Sequence, residues 1–139
     1  MDQKNLNTID VNKLKPLIQR SFENIKSIED QDIILALGNT GAGKSTTINY
    51  LMGSRMIVEE NVSADALGEE IVEENFRVAS GETVYAKIGY EFTSSETLYV
   101  AGIHSQSAGL TYCDCPGFLE TRSDEEKIIT SLGPLLAVK

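Results

Sequence analysis

The octapeptide Gly38-Asn39-Thr40-Gly41-Ala42-Gly43-Lys44-Ser45 constrains this chain more than any other feature, because it matches G-x-x-x-x-G-K-[ST] at every fixed position. Glycines let a backbone fold into a concave nest whose N–H groups converge on an anion, where a Cβ would obstruct. A helix opening at Lys44 would aim its unpaired amides and positive dipole end at the same point. Lys44 then supplies a cation for the β and γ phosphates of a nucleotide, and the Ser45 hydroxyl can ligate Mg²⁺.

The flanks have the form such a loop requires. Ile33-Ile34-Leu35-Ala36-Leu37 is an apolar run ending at a glycine, which reads as a strand buried on both faces. From Lys44 to Met52 the residues suit a helix, with Gly53 placed to end it. The unit is strand, glycine loop, helix.

Residues 1–30 form a separate segment. Leu14, Leu17, Ile18, Phe22, Ile25 and Ile28 recur at three- and four-residue spacing and share one helical face. Pro16 fits a first turn but not a helix interior, so the helix is expected to begin near Lys15. Its apolar face would dock on the core that follows or on a partner.

Residues 59–77 hold seven acids and one base, which is -6 of the chain's net -9. A solvated loop and helix face is the simpler reading of this insert, and a partner-binding segment the sharper one. Beyond it, 83–90 and 97–104 alternate and are rich in Val, Ile and Tyr, so each is a strand candidate. Residues 105–109 read as a turn and Leu110 to Cys113 as a further strand. Ser123-Asp124-Glu125-Glu126 has capping-box spacing and opens a helix expected to run to Leu132, where Gly133-Pro134 interrupts it.

Composition excludes several classes. With 12 Lys and Arg against 21 Asp and Glu, the chain lacks the basic face that duplex binding requires, so no nucleic-acid partner is expected. No apolar run is long enough to span a bilayer. There is no basic-then-apolar leader, and Asp2 stands where myristoylation needs glycine. Cys113 and Cys115 are too close for an ordinary disulfide and read as buried strand thiols, consistent with a reduced, cytoplasmic setting. His104, near a hairpin tip, reads as a surface residue, and Arg122 as a solvated arginine.

Phosphoryl transfer at such a loop needs an aspartate near the metal, delivered by a neighbouring strand. Asp114-Cys115-Pro116-Gly117 supplies one, 70 residues after Lys44. The acid ends the apolar strand and a Pro-Gly turn follows, from which the Gly117 amide could approach a γ-phosphate.

Gly38–Ser45 followed by Thr46, together with Asp114-Cys115-Pro116-Gly117-Phe118, resembles the first and third motifs of P-loop GTPases of the translation-factor-related class. The closest likeness is to septin, immunity-associated and immunity-related GTPases, over roughly residues 32 to 132. The resemblance implies an α/β fold, a P-loop three-layer sandwich with a mostly parallel sheet. It implies GTP and Mg²⁺ binding, with residues 38–46 and Gly117 on the nucleotide and Ser45 and Asp114 on the metal. It also implies a switch threonine that ligates Mg²⁺ in the triphosphate state. Thr97 suits this role best, with Thr93 and Thr83 as alternatives. Lys44 and Thr97 would be the residues closest to catalysis, and homodimer or protein contacts would form through the N-terminal helix or the switch segments.

Two departures qualify the resemblance. Phe118 occupies the position where Ras-like members carry a water-orienting glutamine, and an apolar ring cannot orient water, so turnover is expected to be slow. The guanine-reading [NT]-K-x-D motif does not follow Gly117 in the 22 residues that remain. The chain therefore reads as an N-terminal helical segment (1–30) and a partial G domain (31–139), stopping before the C-terminal strands. Two alternatives stay open: an ATP-binding ATPase or kinase, and an interaction module deficient in nucleotide binding.

Overall fold

The computed structural model describes residues 8–89, 98–118 and 122–138. Their elements run α1 (Val11–Lys26), β1 (Ile33–Ala36), α2 (Lys44–Leu51), β2 (Met56–Ala64), β3 (Glu70–Val78), β4 (Ala101–Ser105), β5 (Leu110–Asp114) and α3 (Asp124–Ala137).

The strands do not form the expected three-layer sandwich. Among the described residues they make a three-stranded sheet ordered β1-β5-β4 and a separate two-stranded ribbon, β2-β3. Among the described residues only β1 and β5 run parallel, with Leu35 opposite Cys113 and Ala36 opposite Asp114. β4 pairs antiparallel with β5, joined by the turn at 106–109 that the sequence predicts.

Side chains alternate across this sheet. One face presents Ile33, Leu35 and Cys113 to Ile25 and Ile28, and to Leu136 and Ala137 of α3, forming the core. α1 and α3 lie against each other on this side. The opposite face carries Ile34 and Asp114. The eight-residue α2 meets β5, yet Ile34 keeps 49% of its surface exposed. β1 is therefore covered on one face rather than on both.

Two of the three prolines, Pro16 and Pro134, sit inside helices. α1 starts at Val11, earlier than Pro16 suggests, because Asp10 caps it by accepting from the Asn12 and Lys13 amides. Pro16 lies on the exposed side, while Ser21 and Ile25 are buried. α3 has the predicted capping box, with Ser123 Oγ accepting from Glu126 N and Glu126 Oε2 accepting from Ser123 N. It continues past Gly133-Pro134 to Ala137 rather than ending near Leu132. Packing of Leu136 and Ala137 on the core overrides the local cost of proline. Gly133 is itself buried, and a Cβ there would sit 3.1 Å from Val100 Cγ2.

The acidic insert is neither loop nor helix. It is the β2-β3 hairpin, closed by an Asx turn in which Asp65 Oδ1 accepts from Leu67 N (2.8 Å) and Glu69 N (2.9 Å). Two further strand expectations change: residues 83–89 are not extended into a strand, and the strand expected over 97–104 is β4, 101–105.

Candidate functional site

The loop after β1 has the conformation its glycines allow. Gly38 has φ 152° and Gly43 has φ 81°, both disfavoured for residues with a Cβ. At Gly43 an added Cβ would meet nothing within 4 Å. The constraint there is backbone handedness, not crowding, which refines the argument from steric obstruction. Gly43 is also the N-cap of α2 and offers no side-chain cap. The first-turn amides of Lys44, Ser45 and Thr46 consequently face the loop mouth without a capping oxygen, as an anion site requires.

Lys44 folds back over this loop. Its Nζ donates to the carbonyls of Gly38 (3.1 Å) and Asn39 (2.8 Å). Those bonds hold the ammonium across the mouth. Thr40, Gly41 and Ala42 form the bend between, with Ala42 N donating to Asn39 O at 3.1 Å.

Asp114, at the end of β5, reaches the same place. Ser45 Oγ donates to Asp114 Oδ2 at 2.6 Å, across 69 residues of sequence. The parallel pairing of β1 and β5 causes this meeting, because both strands then end at the same edge of the sheet. Asp114 is 2% exposed, and its Oδ1 is buried with no hydrogen-bond partner among the described residues. Burial pushes its carboxyl above the usual range, with the Ser45 hydroxyl and the Lys44 ammonium pulling the other way. Cys113 and Cys115 flank it on the core side, both fully buried, their thiols pushed up to about 11 and about 12 by burial.

Gly117 is buried in the segment after Asp114, and Phe118 beyond it is 57% exposed. Thr97 and Thr93 lie outside the described residues. Thr83 is described: it is exposed, and its carbonyl accepts from Ser54 Oγ at 2.7 Å. His104 is exposed as expected, its Nδ1 3.1 Å from Thr111 Oγ1.

Asn49 is the site residue that sequence reasoning misses. It lies one helical turn after Ser45 and is fully buried. Its Nδ2 donates to Ser45 O (2.8 Å) and Ala86 O (2.6 Å), and its Oδ1 accepts from Tyr85 N (2.7 Å) and Ala86 N (3.2 Å). One side chain thus ties α2 to the segment leaving the β2-β3 ribbon. The available signal was an amide at i+4 from Ser45 in an otherwise apolar stretch.

No family model, curated protein or solved structure matches this chain. Among the described residues no three His, Cys, Asp or Glu side chains cluster as a protein-only metal cage, and no helix is long and apolar enough to cross a membrane.

Proposed function

We propose that this chain binds a nucleoside triphosphate, GTP in preference to ATP, and turns it over slowly. The loop amides of residues 38–45 and the Lys44 ammonium hold the β and γ phosphates, with the first-turn amides of α2, through Thr46, aimed at the same charge. The observation that carries this reading is the Ser45–Asp114 hydrogen bond at the loop mouth, beside an unpartnered, buried carboxylate oxygen.

Those two side chains also fit Mg²⁺. The ion takes oxygen ligands, with one or two carboxylates beside phosphates and waters, so the absence of a larger cage is no obstacle. Asp114 and Ser45 would hold it, and when bound it supplies charge neutralisation on the phosphates. The preference for guanine rests on the resemblance to GTPases alone. Exposed Phe118 offers no group to orient water, which supports slow turnover or a requirement for a residue from another protein.

Titration with fluorescent GTP and ATP analogues tests the proposal. Binding of the GTP analogue, weakened by about tenfold to a hundredfold in Lys44→Ala through loss of charge-assisted bonds, is the expected result. Preference for ATP moves the assignment to an ATPase or kinase. Failure to bind either analogue overturns the proposal.

A further inference from the structure

We infer that one face of the β2-β3 ribbon is a docking surface for α1 of a second copy of this chain. The register places Val58 opposite Phe76, Glu60 opposite Glu74 and Val62 opposite Val72. Directly opposed residues share a face, so two apolar rungs flank one acidic rung. The four apolar side chains are all at least half exposed, from 51% at Val58 to 62% at Val62. A two-stranded ribbon with an exposed apolar face is marginal in water and gains from cover.

The acidic rung selects what can cover it. Two carboxylates directly opposed repel, and the ribbon's own base does not relieve them: Arg77 pairs with Glu59 at 3.1 Å, on the other face. Among the described residues neither Glu60 nor Glu74 forms an ion pair. A second ribbon stacked on this face would bring four carboxylates together. The occupant must place a cation between two apolar groups.

α1 has that pattern. It carries four bases and one acid, against a net -6 over the ribbon. Val11, Lys15, Phe22 and Lys26 fall within roughly 60° of one another around the helix, beside the stripe buried against the core. All four are exposed, Val11 by 64% and Phe22 by 49%. Lys15 stands about 6 Å along the axis from Val11 and about 10 Å from Phe22. On the ribbon the acidic rung stands about 7 Å from each apolar rung. The lysine therefore meets the carboxylates while the two apolar side chains meet the apolar rungs.

Sedimentation equilibrium of the full chain tests this independently of any nucleotide. The chain is expected to self-associate with concentration. Reversing the ribbon (Glu60→Lys with Glu74→Lys) or the helix (Lys15→Glu with Lys26→Glu) weakens association by about tenfold or more. An equimolar mixture of the two reversed proteins recovers it, because each intact or reversed surface then meets its complement. Phe22→Ser lowers association with no change of charge, and thermal melting verifies that each variant folds. A wild-type chain that stays monomeric at every concentration overturns the inference and leaves the ribbon to a cationic, apolar segment of another protein. Association that survives both reversals overturns it as well.

Discussion

Ser45 donates its hydroxyl proton to Asp114 Oδ2 at 2.6 Å, and Oδ1 of the same carboxylate is buried without a partner among the described residues. A buried acceptor left unpaired costs about 1–3 kcal/mol, and among the described residues nothing pairs with that oxygen. Strained or unsatisfied groups of this kind concentrate where a ligand completes the site.

Asp114→Asn should separate stability from binding. The amide oxygen can still accept from Ser45, while the buried charge is gone. Because burial raises the folded-state pKa of Asp114, the folded protein holds this proton more tightly than the unfolded chain. Stability is therefore lost as pH rises from the ordinary carboxylate range through the raised value. The variant should equal wild type in acid and become the more stable of the two towards neutral pH, as read by urea unfolding. Its Mg²⁺-dependent affinity for a GTP analogue should fall by about tenfold or more, while affinity in EDTA stays near wild type.

Asn49→Ala should be among the most damaging single changes. It strands the Ala86 carbonyl and the Tyr85 and Ala86 amides, which Asn49 serves. Loss of about 3 kcal/mol is expected, measured as a lower urea midpoint at unchanged slope. In conditions where the variant stays folded, the segment leaving the ribbon is released from α2. Protease cleavage between the ribbon and Ala86 should then outpace cleavage elsewhere.

These residues also show what a sequence can and cannot disclose. The strand, glycine loop and helix at 33–51 were legible because fixed glycine positions and a flanking apolar strand report backbone geometry directly. Asp114 was legible because it ends a strand, and the capping box of α3 because its signal is local. The ribbon was not, since seven acids masked the alternation of Val58, Glu60 and Val62 and the Asp65–Gly68 turn. Glutamate has little intrinsic preference for strands, and only register shows which side chains share a face. Pro16 and Pro134 misled for the opposite reason: both are strong local breakers, overridden by an Asp10 cap in one helix and by packing of Leu136 in the other. The parallel order of the sheet could not be extrapolated either. The antiparallel β4-β5 hairpin was legible from two strand-like runs around a turn, whereas the exposed face of β1 was not, because a continuous apolar run reads as buried on both sides.

The two cysteines give a clean test of the core. Their folded pKa values, about 11 and about 12, lie above the 9.0 of a free thiol. The folded state thus retains protons that the unfolded chain releases, and stability should decline as pH rises beyond about 9. At neutral pH a thiol-specific reagent should modify Cys113 and Cys115 only as fast as the core opens. Rapid labelling of either thiol in the folded protein would contradict their burial.

Gly102→Ala examines how closely the sheet meets the segment after α1. Gly102 pairs with Cys113 on the core face, and an added Cβ would run into the Ile28 side chain and stand 3.2 Å from Thr111 Cγ2. Its backbone is not left-handed, so any cost comes from crowding and not from the conformational preference of alanine. Ile28 belongs to the core and is flanked by a turn whose amides bond back to α1, which limits how far it can yield. Overpacking should cost about 1–3 kcal/mol. The double variant Gly102→Ala with Ile28→Val opens room on the opposing side and should recover part of that loss. If thermal melting shows the two changes merely adding, the contact between β4 and Ile28 is looser than the geometry indicates.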